Sequence, residues 1–155
     1  MASDHQIKYG STTAITCTLT SLADTAGRQS TAIDNSANLF DDALVRIKTN
    51  GQAGGTGILE VYAYAAVGDT IYSDSATGSD AAFTAAGRKN SPIVGGVLLN
   101  AATGVVSGPM SIADAFGGRL PHKWGLIFVN QSGAALSATA GDHDLDYIGV
   151  YYQSS

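Results

Sequence analysis

Apolar and polar residues alternate with a period of two along most of the chain, the spacing of strands that bury one face; the 3.6-residue period of helices is nearly absent. Residues 11–20 set Ile15, Cys17 and Leu19 against Thr16, Thr18 and Thr20. Their β-branched side chains suit a pleated, half-buried surface, and the segment reads as a strand. A short strand is expected over 29–33. Turn chemistry at Asp34-Asn35-Ser36 precedes another strand over 39–49, with Ala43, Val45 and Ile47 on one face. After a glycine-rich loop at 50–57, residues 58–66 place Leu59, Val61, Ala63 and Ala65 on one face and Glu60, Tyr62 and Tyr64 on the other.

Residues 70–73 suit a short strand. From 73 to 91 the chain turns to Ser, Ala, Asp and Gly around one large apolar residue, Phe83. So long a stretch without periodicity is expected to be a functional or mobile loop, with one helical turn over 81–86. Strands follow at 92–99, bent at Gly95-Gly96, and at 105–110. Ser111 is placed to cap a brief helix that Gly117-Gly118 ends. Residues 123–130 alternate Trp124, Leu126 and Phe128 with Gly125, Ile127 and Val129, so both faces are apolar and this strand belongs centrally in a sheet. Gln131-Ser132-Gly133 turns the chain, 134–139 return, and 145–153 form the last strand. Eight to ten short strands with one short helix predict an all-β fold: a single-domain antiparallel β-sandwich over 1–155, jelly-roll-like, with residues 1–10 as a flexible N-terminal arm.

Composition changes the picture of the surface. Only 14% of the 155 residues are charged, against roughly 25% in an ordinary soluble domain. Their place is taken by 24 Ala, 19 Gly, 15 Ser and 14 Thr. Outward strand positions thus hold small and hydroxyl side chains and Tyr, a surface suited to meeting protein, since charge is depleted from interface cores. The net charge is −5 and the 8 basic residues form no stripe. Duplex nucleic acid, which must have its phosphates neutralised, is therefore not an expected partner. A hydrophobic fraction of 45% is globular rather than disordered composition. The longest apolar region, 93–106, is broken by Gly95-Gly96, Asn100 and Gly104 and is too short to span a bilayer, so no membrane partner is expected. The first six residues hold no basic segment leading into an apolar one, so no secretion signal is expected.

Little in the chain points to chemistry. Cys17 lies within an alternating run and, with no His or helix N-terminus beside it, reads as a small buried hydrophobe. Gly51, Gly54, Gly55 and Gly57 do not fit the dinucleotide fingerprint and precede a strand rather than a helix. In a strand, Asp142, Asp144 and Asp146 would share one face, close enough to repel or to capture a cation, although an acidic solvated strand start is the commoner arrangement. His5, His122 and His143 have no partners at zinc spacing. No Gly-x-Ser-x-Gly elbow occurs, and Asp41-Asp42 are adjacent rather than opposed carboxylates. No catalytic residue, metal site or cofactor is assigned. Tyrosine is the remaining resource, with Tyr62 and Tyr64 on one strand face and Tyr147, Tyr151 and Tyr152 crowding the last strand. An apolar ring with a polar tip suits protein interfaces, sugar-stacking platforms and ordinary sandwich faces alike; Tyr62, Tyr64, Tyr147 and Tyr151 are the candidate binding residues.

The segment Asp34-Asn35-Ser36-Ala37-Asn38-Leu39-Phe40-Asp41-Asp42-Ala43-Leu44-Val45 leads into a strand. The C-terminal block runs through Leu120-Pro121-His122-Lys123-Trp124-Gly125 and Val129-Asn130-Gln131-Ser132-Gly133-Ala134-Ala135-Leu136 to Tyr147-Ile148-Gly149-Val150-Tyr151. Together these stretches resemble small virion structural proteins of tailed bacteriophages. The resemblance implies a non-enzymatic β-sandwich, made in the host cytoplasm and located in the virion. Its first expected role is capsid decoration: a cement protein on the capsid exterior, with the major capsid protein or other virion proteins as partners. A homo-oligomer, dimer or trimer, would match symmetric sites. The alternative is a tail-tip or fibre module that binds a receptor or carbohydrate, drawing on the Tyr-rich faces and the 73–91 loop.

Overall fold

The computed structural model describes residues 4–51, 54–100 and 104–154. In chain order the strands are β1 (His5–Ala14), β2 (Gly27–Gln29), β3 (Ile33–Asp34), β4 (Asp42–Asn50), β5 (Ile58–Ala66), β6 (Ala81–Phe83), β7 (Ile93–Leu98), β8 (Gly104–Ser111), β9 (Lys123–Gln131) and β10 (Asp144–Ser154). One short helix, α1 (Ile112–Ala115), joins β8 to β9. A first antiparallel sheet has the order β1-β10-β4-β8; a second runs β6-β2-β9-β5-β7, with β3 also pairing β9. The two sheets pack as an all-β sandwich, as the two-residue period requires. Among the described residues no helix is long and apolar enough to cross a membrane.

Where alternation was clean, the faces are as read. Ala43, Val45 and Ile47 of β4 point into the core, as do Leu59, Val61 and Ala63 of β5. The apolar strand β9 lies centrally, between β2 and β5, with Leu126, Ile127, Phe128 and Val129 all buried. Trp124 is fully buried and meets Tyr147 of β10 edge-on, ring centroids 5.4 Å apart, tying the two sheets together. Ser111 caps α1 by accepting a hydrogen bond from the Asp114 amide at 3.0 Å, and Asp42 accepts one from the Ala113 amide at 2.8 Å.

Five expectations are corrected. Residues 5–10, read as an arm, belong to β1, where Gln6 to Tyr9 pair in register with Gln153 to Val150. Residues 15–20, read as strand, lie beyond the end of β1 at Ala14. The chain there crosses between the sheets: the Ile15 amide donates to Leu145 O at 2.8 Å, whereas Thr16 O accepts from the Thr31 amide at 2.9 Å. Ile15 and Leu19 stay buried, so the alternation reported burial and not ladder pairing. Residues 70–73 form no strand, and 134–139 return not as a strand but through one bridge, Leu136 to Gly51.

The stretch 73–91 is the fifth. It packs as a layer over the outer face of the second sheet, placing Tyr72, Ala76, Phe83 and Ala85 on Tyr64, Ile127 and Val129. In place of the expected helical turn over 81–86, it holds β6 on β2 and a 3-10 turn at Ala85–Gly87. Short of apolar residues, the layer is tied down by polar ones. Arg28 of β2 holds Asp80 at 2.6 Å, and the Thr18 hydroxyl donates to the same carboxylate at 2.6 Å. Gln29 donates to Thr77 Oγ1 at 2.6 Å and accepts from the Thr77 amide at 3.1 Å. The Asp74 carboxylate accepts from the amides of Asn90 and Ser91 at 2.9 and 2.7 Å.

Partial burial works against the charged form of Asp80, but the hydrogen bonds from Arg28 and Thr18 outweigh it and hold its pKa below the ordinary carboxylate value. A pKa lowered by folding stabilises the native state above the unfolded-chain value of roughly 3.9, and that contribution disappears as pH falls through the lower folded value. Asp80→Asn is expected to cost about 1–3 kcal/mol at pH 7. Denaturant melts from pH 7 to pH 2 should show its deficit shrinking below about pH 4. In the other sheet, a Cβ on Gly149 would stand 2.2 Å from the Phe40 ring. Gly149→Ala should therefore destabilise by about 1–3 kcal/mol through overpacking, and Phe40→Ala in the same chain should relieve part of that loss in a double-mutant cycle.

Candidate functional site

The four candidate tyrosines do not come together. Tyr64 is fully buried beneath the 73–91 layer, its ring edge-on to Tyr72 at 5.3 Å and its hydroxyl donating to Ser30 O at 2.6 Å. Burial pushes that hydroxyl's pKa up. Tyr62 is half-buried, with Arg88 lying 5.1 Å over its ring and Glu60 accepting from its hydroxyl at 3.1 Å. Tyr147 is a core residue against Trp124, and Tyr151 leans on Phe40 at 5.9 Å. Tyr62 and Tyr64 do share a face, as alternation required, but that face is covered.

The acidic run is split as well. β10 starts at Asp144, so only Asp144 and Asp146 share its outer face, where both are bound by Arg46 of β4, Asp144 at 3.3 Å. Asp142 sits in a 3-10 turn and accepts from the Ser137 hydroxyl at 2.5 Å. This arrangement is a cation site already filled by a guanidinium.

Two open clefts hold polar residues committed to the fold. The larger, about 740 Å³, includes Asn35 and Asp42. Asn35 donates to Phe40 O at 2.9 Å and accepts its amide at 3.0 Å, while Asp42 caps α1. The second, about 600 Å³, is lined by the Gln29, Thr77 and Asp74 ties. Cys17 is half-buried against the core, and burial raises its thiol pKa, which removes the thiolate a nucleophile needs.

The outer face of the first sheet has no covering layer comparable with the one over the second. Register places Ile7 of β1 opposite Tyr152 of β10, Tyr9 opposite Val150, and Ile148 of β10 opposite Leu44 of β4. These residues form an apolar row across three strands, continued on β8 by Val106 and Pro109. Ile7 is 54% exposed, Tyr9 64%, Val106 61% and Tyr152 60%. A groove of about 360 Å³ runs between Tyr9, Leu44, Val106, Pro109 and Ile148, with the Arg46–Asp146 pair in its wall. Contiguous exposed apolar surface rimmed by polar groups is the kind of surface found at interaction sites and ligand-binding grooves. Sequence reading missed Ile7 and Tyr9 because they fell in the expected arm. The signal that could have found the face is Leu44, Ile148 and Val150: apolar residues on the side of β4 and β10 opposite their core residues.

No protein family, curated protein or solved structure matches the chain. The accessibility pattern is directly measurable. Brief treatment with tetranitromethane, read by peptide mass spectrometry, should nitrate Tyr9 and Tyr152 first and leave Tyr64 and Tyr147 unmodified until the protein unfolds.

Proposed function

We propose that this chain is a non-enzymatic structural protein of a tailed-bacteriophage virion, a capsid decoration protein that docks on the shell exterior through the outer face of its first sheet. The observation that carries the reading is the asymmetry of the sandwich. The outer face of the second sheet is covered by residues 72–85 over Tyr64, Ile127 and Val129, with Ile58, Ile93 and Leu98 exposed at its β5–β7 end, whereas the outer face of the first sheet carries no such layer and holds an apolar groove. Burying the apolar part of this face against the major capsid protein would remove it from water, while the Arg46–Asp144–Asp146 cluster would meet the partner as paired rather than lone charges.

Strand order supports the jelly-roll form of this reading. With β3 and β6 set aside, the eight remaining strands alternate between sheets as first, second, first, second, second, first, second, first. That alternation supports a two-Greek-key winding, the arrangement of jelly rolls, which recur in capsid and lectin domains. A fold does not name a function, so the weight rests on the exposed face. The alternative of a carbohydrate-binding tail module drew on tyrosine faces and the 73–91 loop. Tyr62, Tyr64 and Tyr147 are buried or covered, the loop is a packing layer, and exposed Tyr152 lies within the apolar sheet face, which favours protein docking.

Purified protein added to undecorated shells of the phage that encodes it should bind saturably and raise the temperature at which the shells disrupt. Val106→Lys, which sets a charge on the docking face, should weaken shell binding at least about tenfold, equivalent to about 1.4 kcal/mol, without lowering the melting temperature of the free protein. Absence of wild-type binding to shells at every maturation stage would overturn the reading.

A further inference from the structure

The sheet edges are unequally guarded. β6 is three residues long. β7 carries Gly95-Gly96 and a bulge opposite Val61–Tyr62. β8 is broken opposite Val45–Ile47, where Gly108 and Pro109 together oppose the single residue Arg46, and a proline offers no N–H to a ladder. Short strands, bulges and prolines are the devices that keep an edge from pairing with another chain. β1 has none of these over His5–Tyr9: its register with β10 runs unbroken from His5↔Ser154 to Tyr9↔Val150, and the bulge comes only after Tyr9. Its other side pairs with nothing among the described residues. None of its ten residues is buried, so the strand adds no buried side chain to the core while holding Ile7 and Tyr9 in solvent.

We infer that β1 is an assembly edge that pairs antiparallel with β1 of a second copy, about a two-fold axis through Ile7. Residues directly opposed in an antiparallel pair point to the same side of the sheet, so the axis must pass through a residue rather than between two. Ile7 is the midpoint of the straight segment His5–Tyr9, and an axis there pairs every residue of it: Ile7 with Ile7, His5 with Tyr9, and Gln6 with Lys8. No like charges meet. An axis at Lys8 would oppose two ammonium groups and run the bulge into the partner strand. The pairing at Ile7 fuses the two four-stranded sheets into one and sets the apolar rows of both copies side by side, a closed isologous contact. It is independent of the virion role, because it is read in solution without shells.

Sedimentation should show a dimer for the wild type. Ile7→Lys, which opposes two lysines on the axis, should weaken dimerisation at least tenfold, while Val67→Lys, on a 96% exposed residue away from β1, should leave it unchanged. In a Cys17→Ser background, Ile7→Cys should cross-link to itself under mild oxidant, since opposed Cα atoms lie about 5 Å apart. Tyr9→Cys should not, because its two copies stand about 13 Å apart along the strands. The cysteine pair decides the matter even if Ile7→Lys fails to fold. A monomeric wild type, a dimer that a folded Ile7→Lys leaves intact, or equal cross-linking at positions 7 and 9 would overturn the inference.

Discussion

Everything in this molecule follows from a strand that is apolar on both faces. β9 runs from Lys123 to Gln131 with Trp124, Leu126 and Phe128 on one side and Ile127 and Val129 on the other. One sheet can cover only one of those sides. Leaving the other in water would forfeit about 1.5–3 kcal/mol for each large side chain. The inner side is met by the first sheet, where Tyr147 seats against Trp124. The outer side is met by residues 72–85, which contribute Tyr72, Ala76, Phe83 and Ala85. Because that segment has so few apolar residues, burial alone does not hold it. Arg28–Asp80, Gln29–Thr77 and the Asp74 cluster supply direction as well as energy.

Committing the long connection between β5 and β7 to the second sheet leaves the first sheet with a single cover. Its inner face packs Ala43, Val45, Ile47, Leu145 and Tyr147 into the core. Its outer face presents Ile7, Tyr9, Val106 and Tyr152 to solvent, beside a charged group made of Arg46, Lys48, Asp144 and Asp146. The low charge content of the chain is thus concentrated in its consequences. Where a free-standing sheet face would ordinarily be charged throughout, this one groups its charges at Arg46, Lys48, Asp144 and Asp146 and shows tyrosine, valine and isoleucine beside them. The surface built to meet another protein and the edge able to join a second copy lie on the same sheet, with β1 common to both.

Much of the fold was legible because its causes are local. The alternations in β4 and β5, the two-faced apolar run of β9, and the cap at Ser111 with Gly117-Gly118 beyond the helix each depend on neighbours within a few residues. The candidate surface was not legible for the opposite reason. Tyr62 and Tyr64 occupy the outward side of β5, as their spacing demanded, yet they are covered by residues from well along the chain. Ile7 and Tyr9 sit in a polar stretch with no strong strand signal, and they are ordered by pairing with Tyr152 and Val150 at the opposite end of the sequence. The carboxylates at 142, 144 and 146 share one sequence period, but the strand begins after the first of them, and Arg46 reaches the other two across a register set by β4.

The sequence by itself therefore determined that the chain is β throughout, which side of most strands is apolar, and that charge would be scarce on the surface. Those properties arise from the two-residue pleat and from composition, both readable without knowing any partner. Only the tertiary structure decided which apolar sides are covered twice and which stay open. Leu44 and Ile148 on one sheet, and Tyr64 and Ile127 on the other, look alike in a strand pattern. What separates them is a layer brought from far along the chain, held by ion pairs and hydrogen bonds that no local period encodes.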